Sequence, residues 1–221
     1  MKKYEGKLLS QIGSHDGLND PCAEFVSIVK KLKLQEKRIA VAEIGLGFGA
    51  STVEICQLLD SKDKYYLFDF QDVVEDMIDD LHNNHFKCEI IGQGSSRGIW
   101  DSYNWNLSNL LINMKNEGEA GMFDVAYLDG AHTLLHDGLA MVLLKRLLKV
   151  GGYLVVDDLN WSYANNKYRT KEEMLDKFPE EQYYACQVRR AVNLFLVDDD
   201  MFEEVIFGDL NPYRAIYKKM K

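Results

Sequence analysis

Apolar and polar residues change rhythm repeatedly along this chain of 221 residues. From residue 39 onward, short apolar runs alternate with longer stretches in which apolar residues recur every three or four positions. The runs at 39–44, 65–69, 87–91, 123–128 and 153–157 predict strands, and the stretches at 51–60, 72–83, 102–116 and 133–148 predict the helices between them. Upstream, Asp20-Pro21 reads as an N-cap followed by a first-turn proline. It announces a helix over 23–34 with Phe25, Val26, Ile28, Val29 and Leu32 as its apolar positions. Downstream, a helix over 180–197 precedes strands at 202–208 and 213–219. The connection between those strands, 209–212, is so short that they must run antiparallel.

Strands separated by helices form parallel βαβ units, whose right-handed crossovers bring every strand's carboxyl end to one edge of the sheet. The pattern therefore predicts an α/β, Rossmann-like, doubly wound sheet of seven strands, mostly parallel and closed by a C-terminal antiparallel hairpin. Residues 1–38 read as an N-terminal helical cap segment on a single compact domain at 39–221.

The first strand runs into IAVAEIGLGFGAS (39–51), where Gly45, Gly47 and Gly49 turn the chain before the helix. Glycines permit φ > 0 in such a turn and keep side chains out of the way of a ligand, while the helix N-terminus presents free N–H groups. Two cofactors fit these letters. Gly45-x-Gly47-x-x-Ala50, with Asp69 at the end of the next strand, satisfies a loose dinucleotide fingerprint. Glu43-x-Gly45-x-Gly47-x-Gly49 resembles the first motif of class I S-adenosylmethionine-dependent methyltransferases.

Composition narrows the partners. Acidic residues outnumber basic ones by 35 to 26, a net charge of −9, and no basic run is visible, which argues against nucleic acid. No apolar run reaches membrane-spanning length, and MKKYEGKLLSQIG lacks the core of a signal peptide. Cys22, Cys56, Cys88 and Cys186 are scattered without metal-site spacing, as expected of free thiols in a reducing cytoplasm. A small-molecule acceptor is the expected partner, and a homo-oligomer stays open.

The densest chemistry lies between Phe123 and Trp161. The fourth strand ends in Asp129-Gly130-Ala131-His132, and the fifth runs into Asp157-Asp158. Neighbouring strand ends lie about 5 Å apart, so three carboxylates distant in sequence can meet at one edge. Such a group calls for a compensating cation, and Mg²⁺ takes oxygen ligands of this kind. His132 stands one turn above and suits a general base. Each acid taken singly could equally be a loop or helix cap. Around this point Trp100, Tyr103, Trp105, Trp161, Tyr163 and Tyr168 offer stacking surfaces, and 160–170 reads as an acceptor loop. Arg97, Lys167, Arg169, Arg189 and Arg190 could recognise a phosphate, and His15 and Asp16 could reach the site from the N-terminal segment.

D-G-x-H after strand four, K-x-G-G before strand five and D-D after it resemble the metal-dependent small-molecule O-methyltransferases. The nearest branch is that of bacterial sugar and antibiotic-tailoring enzymes of the macrocin type, with catechol O-methyltransferases more distant. The resemblance covers about residues 39–161, and the terminal hairpin agrees with it. It implies Mg²⁺ on Asp129, Asp157 and Asp158, and His132 as base, with Asp129 beside both ion and cofactor. It further implies S-adenosylmethionine along Glu43, Gly45, Gly47, Gly49 and Ser51, with Asp69 on the ribose and Phe70 against adenine. Gln93, Gly94 and Ser95 would meet the adenine edge. Catechol-type enzymes carry lysine at the His132 position and asparagine at the Asp158 position, which favours the sugar-modifying branch. The acceptor implied is a sugar, nucleotide-sugar or phosphorylated sugar derivative. The rival readings are an NAD-dependent oxidoreductase and a non-catalytic S-adenosylmethionine-binding partner of another enzyme.

Overall fold

The computed structural model describes residues 3–14, 20–35, 38–166, 169–207 and 211–221. The expectations attached to His15, Asp16, Lys167 and Tyr168, and to Asp209 and Leu210 of the 209–212 connection, lie outside the described residues.

Seven strands form one sheet: β1 (Ala40–Ile44), β2 (Lys64–Phe70), β3 (Glu89–Ser95), β4 (Phe123–Leu128), β5 (Leu148–Val156), β6 (Phe202–Glu204) and β7 (Ala215–Lys219). Their order is β3-β2-β1-β4-β5-β7-β6. The first five are parallel, whereas β7 runs antiparallel to both β5 and β6. This is the Rossmann-like sheet with a terminal antiparallel pair that the hydrophobic rhythm predicts. Both faces are covered, which explains the nearly unbroken apolar strands. Ala42, Ile44, Ala126, Leu128, Leu154 and Val156 face one core with helices α4 (Tyr103–Asn116), α5 (Leu134–Leu147) and α8 (Gln187–Phe195). Val41, Val125, Tyr127 and Val155 face the other, with α1 (Ala23–Lys33), α2 (Ala50–Leu58) and α3 (Gln71–Asn83). The N-terminal segment joins this second core through Leu9. It is tied down where the Asp80 carboxylate accepts the N–H groups of Lys7, Leu8 and Leu9.

Three local expectations change. Helix α1 starts at Ala23 as expected, but its N-cap is Cys22 and not Asp20, with the Cys22 N–H donating to Ser51 Oγ (2.9 Å) and Cys22 extended. The helix expected over 180–197 is two, α7 (Glu180–Tyr184) and α8, separated by extended backbone at Ala185 and Cys186. Val188, Ala191 and Val192 bury against the core that contains α5, and Gln187 Oε1 accepts the Leu134 N–H (3.0 Å). Docking α8 there takes precedence over continuing α7. Finally, the hairpin strands are shorter and their connection longer than the pattern suggests. The Tyr213 carbonyl accepts the Leu159 N–H (2.9 Å), so this connection is committed to the loop after β5. A short helix, α6 (Lys171–Leu175), completes that region.

Candidate active site

The carboxyl edge of the sheet is built first by the turn between β1 and α2. Gly45, Gly47 and Gly49 all have positive φ, at 87°, 51° and 87°. At Gly45 a Cβ would lie 1.8 Å from the Asp129 carbonyl oxygen, so only glycine lets β1 and β4 end this close together. At Gly47 a Cβ would meet nothing within 4 Å, which leaves the turn open to a ligand. Asp69, at the end of β2, fixes the turn. Its Oδ2 accepts the Leu46 N–H (2.9 Å) and its Oδ1 the Phe70 N–H (2.7 Å). Each oxygen keeps a lone pair for a ligand hydroxyl. Burial pushes the Asp69 carboxyl above its ordinary value, against these two hydrogen bonds.

Beside the turn lies a cleft of about 390 Å³, lined by Gly45, Asp69, Phe70, Ser95, Tyr103 and Gly130 among others. Its volume and its polar and aromatic walls suit a nucleoside-sized ligand. Arg97 also lines it, with its guanidinium 4.3 Å from the Phe70 ring centre and bonded to Asp72. The other expected cofactor residues sit around the cleft without forming its wall. The Gly94 carbonyl accepts from Asn106 (2.8 Å), and Gln93 is half-buried on edge strand β3. Ser51 serves α1 by accepting the Cys22 N–H. Glu43 points into the core, where Tyr65 and Thr52 donate to its Oε2. Burial raises its pKa to about 8 despite those two bonds. Its visible work is to tie β1 to β2 and α2 beneath the turn.

The second half of the site lies beyond β4 and β5. His132 Nε2 stands 3.1 Å from Asp129 Oδ1 and 3.1 Å from Asp158 Oδ2. The donor atoms of Asp129, His132 and Asp158 all lie within 4.8 Å of one another, and among the described residues they are the group spaced to hold a metal ion. Two carboxylates and an imidazole are donors that divalent cations accept, so these residues fit the expected ion. Both His132 (φ 57°) and Asp158 (φ 55°) adopt the left-handed conformation that non-glycine residues avoid, a strain held in place by the surrounding fold. Burial alone would lower the His132 pKa, but Asp129, Asp158 and Asp137 together carry it up to about 9. Burial, with Asp129 and Asp157 adding to it, raises Asp158 to about 6.

Asp157, the third expected ligand, is drawn elsewhere. Its Oδ2 accepts Tyr127 OH (2.5 Å) and Arg214 Nε (2.8 Å), and its Oδ1 accepts the Asp158 N–H (2.8 Å). His136 also stands apart from the cluster. Its Nδ1 lies 2.8 Å from Thr133 Oγ1, and its ring lines the nucleoside-sized cleft. Trp161 packs edge-on to His132 (5.1 Å), Tyr163 to Trp161 (5.2 Å), and Phe178 stacks on Tyr163 (4.5 Å), so an aromatic series leads away from the centre. Trp100 and Trp105 stay exposed and outside it. Of the expected phosphate-binding cations, Arg189 is bonded to Asn160 and the Pro212 carbonyl, and Arg190 to Glu181.

Some residues of the site carry no sequence signal. Buried Asp137 accepts from Tyr103 OH (2.5 Å) and from the N–H groups of Ala131 (3.2 Å) and Thr133 (3.1 Å), which shapes the loop that carries His132. An acid four residues into a helix pattern looks like any other, and only the fold shows that Tyr103 meets it. Arg214 likewise looks like a hairpin residue until β7 pairs with β5.

Comparison with known proteins agrees with this geometry. A family model described as a methyltransferase domain matches residues 42–159, just over half of the chain. No curated protein matches it. Among solved structures, an O-methyltransferase from Bacillus cereus in complex with SAH is 14% identical, with a TM-score of 0.59 over 96% of this chain and 89% of that one. TomG from Streptomyces achromogenes, an O-methyltransferase involved in tomaymycin synthesis and solved with SAM, is 13% identical, with a TM-score of 0.60 over 98% and 91%. MycE, a methyltransferase of the mycinamycin pathway solved with Mg and SAH, is 14% identical, with a TM-score of 0.54 over 99% of this chain and 56% of that one.

Proposed function

This chain belongs to the methyltransferase-domain family, and from that premise we propose that it transfers the methyl group of S-adenosylmethionine to an oxygen of a small polar acceptor of the sugar class. The observation that carries the reading is the placement of His132 between Asp129 and Asp158 at the same sheet edge as the open glycine turn. Structures of the same fold that hold SAH, SAM or Mg support it. The sugar class rests on the D-G-x-H and D-D motifs alone.

Asp69 would receive the ribose hydroxyls on its free lone pairs, and the cleft past Phe70 and Ser95 would take the base. When bound, the cofactor supplies a methyl already activated on sulfur, so the chain's task is alignment and proton removal. His132 is the group placed to take the acceptor's proton. A divalent cation held by Asp129 and Asp158 would, when bound, lower the acceptor's pKa and relieve the negative charge that keeps His132 protonated near neutrality. The Asp137–Tyr103 clamp keeps the His132 loop in register with the cleft.

The test is calorimetric titration of EDTA-treated protein with S-adenosylhomocysteine, with Mg²⁺ and with NADH in separate runs, followed by turnover assays on sugars and nucleotide-sugars. Micromolar S-adenosylhomocysteine binding without an NADH signal is the expected result. NADH binding without S-adenosylhomocysteine would overturn the proposal in favour of a dehydrogenase.

A further inference from the structure

Between α2 and the sheet lie four buried ionisable side chains that the mechanism does not use: Glu43, Cys56, Tyr65 and Cys88. Two of them are thiols in contact. The Sγ atoms of Cys56 and Cys88 lie 3.8 Å apart, although the residues are 32 positions apart in the chain. The crossover explains the meeting. A helix that joins two parallel strands runs back against them, so its last turn returns to the edge where the strands begin. Cys56 stands in the last turn of α2, one turn after Thr52, whose hydroxyl donates to Glu43 Oε2 (2.9 Å). Cys88 stands one residue before β3, where Glu89 pairs with Lys64 of β2. The other two thiols have different surroundings: Cys22 lies 3.6 Å from Glu24 Oε2, and Cys186 is the N-cap of α8.

We propose that Cys56 and Cys88 form a reversible dithiol–disulfide lock, closed by a hydroperoxide, that braces α2 against the start of β3. The two sulfurs have separate parts. Cys88 is the less enclosed, 7% exposed against 2% for Cys56. Its hydrogen bond with Cys56 draws the Cys88 thiol below its ordinary value, against its burial, while the same bond and burial push Cys56 well up. The Cys88 thiolate attacks one peroxide oxygen, the O–O bond breaks, and an alcohol or water leaves after taking up a proton. The Cys56 sulfur then attacks the Cys88 sulfenic acid. The S–S bond forms, and the hydroxyl leaves as water with the Cys56 proton. Two thiols lose two electrons and the peroxide gains them. A dithiol reductant reverses the change by exchange. The lock bears on the cofactor half because α2 begins directly behind Gly49, and β3 is an edge strand paired only with β2. Helix and strand are otherwise free to open separately, and the covalent tie makes them open together.

The test treats the reduced full chain with hydrogen peroxide under native conditions. Alkylation in denaturant and mass spectrometry of the peptides follow, beside thermal unfolding with and without dithiothreitol. The expected product is lighter by two hydrogens, with the Cys56 and Cys88 peptides joined and Cys22 and Cys186 alkylated. Closing a loop of this length should raise the unfolding midpoint by about 10 °C, and dithiothreitol should return it. Amide hydrogen exchange in α2 should slow by about tenfold in the oxidised form. Cys56→Ala removes the resolving sulfur, so Cys88 should stop at the sulfenic acid, trapped by dimedone, and the midpoint shift should vanish. Cys88→Ala should leave Cys56 unreacted over the same time.

Linkage to Cys22 or Cys186, conversion of Cys88 to the sulfinic acid without linkage, or a midpoint that falls on oxidation would overturn the proposal. So would a disulfide that forms only at denaturant concentrations that unfold the chain. The peptide map of the wild type decides the matter even where an alanine variant fails to fold. None of these readouts uses S-adenosylhomocysteine, so failure of the lock and failure of the methyltransferase reading are told apart.

Discussion

The two halves of the site are held together differently. Around the glycine turn the work is done by backbone: positive φ at three glycines, and main-chain N–H groups accepted by Asp69. Past β4 and β5 it is done by charge. Asp129 and Asp158 flank His132, and Asp157 and Glu24 flank Arg214. The backbone half comes from neighbouring strands early in the chain. The charged half gathers residues from α1, the ends of β4 and β5, and the start of β7. A turn held by backbone geometry is local and rigid, whereas in a cluster of ionisable side chains the charge of each group depends on the others.

Substitutions can break this comparison from either side. The largest effect is expected at His132. His132→Ala should lower kcat by about 10²–10⁴, the usual weight of general acid–base catalysis, while S-adenosylhomocysteine affinity stays close to wild type. Calorimetry beside single-turnover rates would check it, and a parallel loss of both would mean that the halves are not separable. Gly45→Ala should act on the backbone half and on the fold itself. The strained conformation alone costs about 1–3 kcal/mol, before the collision with Asp129 O is counted, so thermal unfolding should show a clear drop.

Glu43 sharpens the comparison through pH. Its folded pKa, raised to about 8, lies above its ordinary carboxylate value, so the folded state binds the extra proton and stability falls as pH rises between those values. The contribution is fully present below the unfolded pKa and lost as pH passes about 8. Glu43→Gln should flatten that slope, which for one proton is at most about 1.4 kcal/mol per pH unit. Denaturant midpoints from pH 5 to pH 8.5 would measure it, and an unchanged slope would assign the pH dependence to other groups. The smallest effect is expected for Asp69→Asn. It should weaken S-adenosylhomocysteine by about tenfold, the worth of one hydrogen bond to a charged acceptor, with kcat at saturation little altered. A Kd unchanged by this substitution would place the ribose elsewhere.

Much of this was legible before any coordinates. The five parallel strands, their helices and the glycine turn follow from periodicity and from residue types with restricted backbones, and these are local properties. The place of Asp69 at the end of β2 beside the glycine turn was also legible, because the strand pattern and the turn fix it locally. The split between α7 and α8 was not, since nothing in residues 180–197 breaks a helical pattern. The interruption follows from where α8 docks on α5. Asp157 and Asp158 were read as equivalent because the chain writes them as neighbours.

The sequence by itself determined the layered α/β sheet, the edge at which its parallel strands end, and the acids and histidines delivered there. Hydrophobic periodicity and glycine stereochemistry act over a few residues and survive in one dimension. Tertiary structure alone decided which acids face His132 and which are held by Arg214, that Asp137 shapes the His132 loop, and that Glu43 looks inward. Charge interactions depend on distance in space, and a pairing such as Arg214 with Asp157 and Glu24 joins positions that only the folded sheet brings within 3 Å.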